Sequence, residues 1–250
     1  MTKKITAILQ ARMGSTRLPG KVCLPIMGRP MLEIELERLK ACTCIDEIIL
    51  ATSNLETDNM VAEIGDHMGI RVFRGSEDDV LDRYYQAATM AQAQNIMRVT
   101  GDCPLIDCTI CAATVSLYNS NTYDYVRTSP QVAEGLDCEV FSYAALKQAW
   151  EHAEIPMERE HVTYYINRDP KRFSLAELPM ERDDSNYRVT VDEQDDFNVV
   201  SAIFEALTPK HGLHFSFDAV RDFLDNSPEV SKLNSTIIRN ESFLKDLSKS

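Results

Sequence analysis

The chain has no apolar run long enough to cross a bilayer, and its first, Ile5 to Leu9, is too short even for the core of a secretory leader. Membrane insertion and secretion are therefore not expected, and a cytoplasmic location is. There is no glycine–serine linker, no repeat and no low-complexity tract, so the 250 residues read as one domain with a small extension. Positive charge is scarce: 26 Lys and Arg stand against 39 Asp and Glu, a formal net charge of −13. No basic tract offsets it, which argues against a nucleic-acid partner. The seven cysteines are odd in number and irregularly spaced, which predicts reduced thiols rather than a disulfide framework. Cys108 and Cys111 have the spacing of half a zinc site, but the other half is missing, and buried idle thiols are the expectation. Nor is there a Ser-His-Asp order or a nucleophile elbow, and His67, His152, His211 and His214 have no partners at catalytic spacing.

What is present is the composition of an ordinary globular protein, 44% hydrophobic and 26% charged. Strand-length apolar runs alternate with segments of helical period: Ile5 to Gln10, Pro30 to Cys42, Glu47 to Thr52, Thr57 to His67, Ile70 to Phe73, Asp78 to Gln92 and Ile96 to Thr100. That βαβαβαβ order predicts an α/β fold with a mostly parallel sheet flanked by helices, and a ligand at the carboxyl ends of its strands. Beyond Asp107 a helix over Thr109 to Tyr118 leads into strands at Tyr123 to Arg127, Leu136 to Phe141, Phe173 to Leu178 and Tyr187 to Val191. Helices at Tyr143 to His152 and Arg159 to Asn167 interrupt them. This half extends the sheet with mixed strands and faces the substrate. Helices near Asp195 to Leu207 and Phe217 to Leu224 follow. The polar tail from Asn226 to Ser250 is frayed, or docks a helix around Ile237 to Leu247 on a partner.

The segment ILQARMGSTRLPGK sits where the first strand ends. Gly14 and Gly20 let the backbone turn back toward a ligand, Ser15 and Thr16 add hydroxyl donors, and Arg12, Arg17 and Lys21 add three positive charges. Together these make an anion cradle matched to a triphosphate of roughly four negative charges. It is not the P-loop, because Val22 follows Lys21 and no helix is expected to start there, and it is not GxGxxG.

In the form QARMGSTRLPGK this run resembles the signature of the sugar-acid cytidylyltransferases, most of all the branch named for the spore coat polysaccharide biosynthesis protein SpsF; CMP-Kdo and CMP-acylneuraminate synthetases are more distant relatives. The resemblance covers roughly Lys4 to Leu207. It implies a nucleotide-diphosphosugar-transferase (GT-A-like) fold over residues 1–225, with a substrate or dimerisation extension near 120–190 and a tail over 226–250. It also implies CTP as donor, Mg²⁺ as cofactor, an acidic 2-keto-3-deoxy sugar as acceptor and a homodimer. Ala11, Arg12, Gly14, Ser15, Thr16, Arg17 and Lys21 become its nucleotide-binding positions.

Transfer from a triphosphate needs a metal, and Mg²⁺ commonly takes one or two carboxylates. Two acids close apolar strands: Asp102 in RVTGDCPLID and Asp192 in YRVTVDEQDDF. Each also matches a metal-binding motif of the family, although Glu193, Gln194, Asp195 and Asp196 stand where the family pattern is Thr-Pro-Glu-Asp. A lesser alternative for Asp192 is the cap of the helix that follows. Arg12, Lys21, Asp102 and Asp192 are thus the expected catalytic set.

In FRGSEDDVLDRYYQAA, Asp82 with Arg83 resembles the family's acid-Arg pair near the nucleotide, while Ser76 serves either the nucleotide or the helix cap. The carboxylate of an acidic sugar calls for a basic residue, for which Arg127, Arg159, His161 and Arg188 are candidates. MEREHVTYYI resembles a family motif lining the acceptor side, which puts Arg159 and His161 first. Asp137 and Glu139, two apart on one strand face, would grip sugar hydroxyls. Three other readings compete: a glycosyltransferase of the same fold, cytidylyl transfer to a phosphonate or other non-sugar acid, and a nucleotide-binding protein without turnover.

Overall fold

The computed structural model describes residues 3–247, the side chains of Ser242, Lys245 and Asp246 excepted. In chain order the elements are β1 (Ile5–Gln10), β2 (Pro25–Ile26), β3 (Arg29–Pro30), α1 (Met31–Lys40), β4 (Glu47–Ser53), α2 (Asn59–His67), β5 (Arg71–Gly75), α3 (Val80–Met90) and β6 (Asn95–Thr100). They continue with α4 (Cys108–Ser120), β7 (Tyr125–Thr128), β8 (Glu139–Ser142), α5 (Tyr143–His152), α6 (Pro156–Glu160), α7 (Tyr164–Asn167), β9 (Leu175–Leu178), α8 (Gln194–His211), α9 (Phe217–Asn226), α10 (Pro228–Ser231) and α11 (Glu241–Leu247).

Seven strands form one sheet in the order β5-β4-β1-β6-β8-β7-β9. β5, β4, β1 and β6 run parallel; β8 is antiparallel to both β6 and β7, and β9 is parallel to β7. This is the mostly parallel mixed sheet expected. β1 is central and covered on both faces, so its apolar residues do not simply alternate, and Ile5, Ala7, Ile8 and Leu9 are all buried. From β1 the chain steps outward to β4 and β5, then returns to β6 on the other side, in register Gln10 to Thr100. The loops leaving β1 and β6 therefore stand side by side at a topological switch point, where α/β sheets open a crevice.

Four expectations are corrected. The run Tyr187 to Val191 is extended but joins no ladder, because only Arg188 bridges to Glu134. The helix expected over Arg159 to Asn167 is two, α6 and α7, broken at His161 where ψ is 55°. Lys21 opens a single 3₁₀ turn, Lys21–Cys23, where no helix was expected. Finally, Cys42 and Cys108 form a disulfide, while Cys23, Cys44, Cys103, Cys111 and Cys138 are free thiols. The end of α1 and the start of α4 bring those two Cα atoms to 4.9 Å, a proximity set by helix packing and invisible in sequence spacing.

The tail divides into α10 and α11 and lies across its own chain. Asn234 donates to the Arg188 carbonyl and to Asp196, and Arg239 donates to the carbonyls of Pro130 and Val132. Residues 248–250 of that tail fall outside the described residues. No described helix is long and apolar enough to cross a membrane.

Candidate active site

A cleft of about 730 Å³ opens at the switch point. Its floor is the loop after β1, anchored by the Met13 N–H donating to Asp58 Oδ1 at 2.7 Å. Gly101 lets the exit of β6 press on that loop: a Cβ there would lie 2.8 Å from the Ala11 Cβ and 3.1 Å from the Gln10 carbonyl. Asp102 follows at once. Its backbone carbonyl accepts from Val191 N–H at 2.8 Å and from the Thr190 hydroxyl at 3.2 Å, which draws the 187–191 segment over to β6. Gly135, at φ +100°, makes room for the same segment, since a Cβ there would sit 2.4 Å from Thr190 N.

The segment delivers Asp192, and the helix cap is supplied elsewhere. Asp196 accepts from the N–H groups of Asp192 and Glu193, at 3.0 and 3.1 Å, and pairs with Arg188 at 2.7 Å. Asp192 is thereby left to face the cleft. The Lys21 ammonium lies between the two acids, 3.0 Å from Asp102 Oδ2 and 2.8 Å from Asp192 Oδ1. Burial works against that charge, but the two carboxylates outweigh it and raise the lysine well above its ordinary pKa. For Asp102 burial would favour the neutral acid, yet Lys21 and hydrogen bonds from Thr100, Lys21 and Cys103 bring it down to about 2. Beneath them Glu35, on the inner face of α1, is fully buried with neither carboxyl oxygen hydrogen-bonded. Burial, then the charge of Asp102, pushes Glu35 well above the carboxylate range.

Among the described residues no group of three or more His, Cys, Asp or Glu is placed to hold a metal. Two carboxylates already share one cationic centre, which fits an ion completing its shell with water and phosphate oxygens.

Ala11, Arg12, Gly14, Ser15, Thr16, Arg17, Lys21, Arg83, Asp102, Asp137, Glu139, His161 and Asp192 all line this one cleft. Arg12 pairs with Glu77 at 3.4 Å, and Arg17 reaches Asp192 at 3.0 Å. Arg83 is buried and donates to the carbonyls of Ser76 and Glu77. Four expected residues, Ser76, Asp82, Arg159 and Arg188, do not join the lining. The Ser76 hydroxyl accepts from Asp79 N–H at 3.1 Å in the turn before α3, and Arg159 is turned to Asp79 and the Trp150 carbonyl. Asp82 likewise meets the Trp150 indole, at 2.8 Å.

On the acceptor side, Glu139 accepts from Arg98 at 3.1 Å, from the Tyr125 hydroxyl at 2.5 Å and from Thr163 at 3.1 Å. Asp137 pairs with Arg239 at 3.0 Å. Arg127 lines the cleft but pairs with Glu177, while Arg188 is buried among Glu134, Asp192 and Asp196. Sequence reasoning missed Glu35, Arg98, Glu134, Arg239 and Phe243. Arg98 interrupts the apolar β6 and Glu35 interrupts the apolar stripe of α1, so both left a signal; Arg239 and Phe243 sit in the tail segment expected to fray or to dock as a helix on a partner, which did not point to the cleft.

A profile of the cytidylyltransferase family matches residues 6–241. A protein of Methanocaldococcus jannaschii is 38% identical over 94% of this chain and 96% of its own length. The spore coat polysaccharide biosynthesis protein SpsF of Bacillus subtilis is 32% identical over 80% of this chain and 86% of its own. A 3-deoxy-manno-octulosonate cytidylyltransferase of Geobacter metallireducens is 40% identical, but over 42% of this chain and 40% of its own. Among solved structures, a cytidylyltransferase from Leptospira borgpetersenii superposes with a TM-score of 0.87 at 34% identity, covering 95% of this chain and all of that one. A cradle of basic residues facing two acids, and likeness along nearly the whole length, lead to one assignment: the chain belongs to the cytidylyltransferase family, in its SpsF-like group.

Proposed function

We propose that this enzyme transfers CMP from CTP to a hydroxyl of an acidic, 2-keto-3-deoxy type sugar, releasing pyrophosphate, in the making of a surface polysaccharide or glycan. The observation that carries the reading is the Lys21 ammonium held between Asp102 and Asp192 at the mouth of the β1 loop. A cation bound by two acids beside Arg12 and Arg17 is the charge pattern that a metal-bound triphosphate requires.

Arg12, Arg17 and Lys21 bind the phosphates, with Ala11, Gly14, Ser15 and Thr16 shaping the cradle. Asp102 and Asp192 would hold Mg²⁺, which when bound supplies positive charge to the phosphate oxygens. Arg83 packs beside the nucleotide. Asp137, Glu139 and His161 orient the acceptor so that its hydroxyl oxygen bonds to the α-phosphorus as the bond to the pyrophosphate oxygen breaks. The hydroxyl proton is lost to solvent. No covalent enzyme intermediate is needed, so position and charge carry the catalysis. Arg159 supports this wall through Asp79 and α3 instead of touching the acceptor.

The acidic sugar is favoured by likeness to a 3-deoxy-manno-octulosonate cytidylyltransferase, and a polysaccharide destination by likeness to the spore coat polysaccharide biosynthesis protein SpsF. Arg98, Arg127 and Arg239 are the cations in the cleft that would meet its carboxylate. A homodimer and a cytoplasmic location, where CTP is made, belong to the same reading. The test is pyrophosphate release from CTP and Mg²⁺ against a panel of sugar acids, neutral sugars and phosphonates. Release with one sugar acid is expected, and release with phosphonates alone would overturn the choice of acceptor.

A further inference from the structure

The C-terminal segment reaches into the phosphate cradle. Asn240, in the left-handed region at φ 54°, turns the chain over the cleft, and its N–H donates to Glu134 Oε1 at 2.9 Å. Just before it, Arg239 is fixed by the carbonyls of Pro130 and Val132 and by Asp137. Just after it, Glu241 pairs with Arg17 at 3.1 Å. Phe243 closes edge-on against His161 and Tyr164, with ring centroids 5.1 and 5.6 Å apart. Arg239, Asn240, Glu241 and Phe243 all line the cleft.

Arg17 is therefore engaged by three carboxylates, those of Asp192, Glu193 and Glu241, of which only Glu241 comes from the tail. A guanidinium has a fixed fork of donors, so it cannot keep the same geometry on Glu241 and serve a triphosphate too. We propose that Glu241 is an internal competitor for the phosphate-binding Arg17, and that CTP displaces it and frees the strap Asn240–Leu247 from the acceptor side of the cleft, with Arg239 remaining anchored. The proposal rests on the triphosphate lying on Arg17, as in the function proposed above. It adds an order of events: nucleotide first, then acceptor through the space that Phe243 closes.

Calorimetric titration of the full chain with CTP and Mg²⁺ tests it without any acceptor. Glu241→Gln should bind CTP about three- to tenfold more tightly than the native chain, the scale of a partly exposed charge pair. In an Arg17→Ala background the same substitution should change affinity by less than about twofold, which separates competition for Arg17 from simple removal of a negative charge. Chymotryptic cleavage after Phe243 should quicken when CTP is added. Native binding of CTP with no gain in Glu241→Gln, an equal gain without Arg17, or tail cleavage slowed by CTP would each overturn the strap and leave the transferase reading standing. Absence of CTP binding in both the native chain and Glu241→Gln would instead overturn the nucleotide reading, and the strap with it.

Discussion

The backbone carbonyl of Asp102 accepts a hydrogen bond from the N–H of Val191 at 2.8 Å, and that bond fixes how far apart the two acids of the cleft can stand. Asp102 ends β6, and Asp192 ends a segment that belongs to no sheet ladder. Without the bond to Asp102, and the Glu134 carbonyl that accepts from Val189 and Thr190, nothing in the sheet would hold Asp192 over Lys21.

Lys21 competes with any divalent ion for the same two carboxylates. Lys21→Ala should therefore bind Mn²⁺ alone about tenfold more tightly than the native chain, because two neighbouring carboxylates lose their shared cation. Its turnover of CTP should fall by about 100-fold or more, since the phosphates lose a positioned charge. Electron paramagnetic resonance of free Mn²⁺ reads the first effect and pyrophosphate release the second. Weaker Mn²⁺ binding in the variant would contradict the shared site.

Gly135→Ala tests the close approach that carries the 187–191 segment. The backbone at φ +100° disfavours any side chain, and the new Cβ would meet Thr190 N at 2.4 Å. A loss of about 2–4 kcal/mol is expected, seen as a fall in Tm of about 4–16 °C by calorimetry. A control at Gly28, where a Cβ would meet nothing within 4 Å, should cost less.

Glu35 gives a pH signature. A buried carboxyl whose pKa is raised from an ordinary 4.5 resists ionisation in the folded state only. Stability is then whole below that ordinary value and declines as pH rises through the window up to the raised one. Glu35→Gln removes the ionisation while keeping the shape. Its Tm should match the native chain below about pH 4 and exceed it by a growing margin as pH rises above that. Parallel Tm curves for the two proteins would contradict a strained buried acid.

Much of this was legible before any coordinates. β1 and α5 fall where their periodicity put them, because a buried central strand and an amphipathic helix each declare themselves locally. That Lys21 and Asp102 share one cleft was legible because strand ends and glycine-bearing loops gather at one edge of an α/β sheet, whereas Asp192 reaches the same cleft from a run that is no strand. What could not be read depends on contacts far along the chain. Arg159 chose Asp79 over the cleft, the Cys42–Cys108 bond arose from helix packing, and Tyr187 to Val191 looked like a strand although it is held by Glu134, Asp102 and Asn234 and by no sheet ladder. The Met27–Gly28 turn between β2 and β3 escaped notice because a methionine at φ 50° gives no turn signal.

The most direct test of the account is a double-mutant cycle on Asp102 and Asp192, read by pyrophosphate release from CTP with the acceptor that the panel identifies. If both acids hold one ion, Asp102→Asn and Asp192→Asn should each lower kcat by about 100-fold or more, and the double variant should lose little beyond either single one. Losses that multiply in the double variant, or full turnover in either single one, would contradict a shared metal-bound nucleotide.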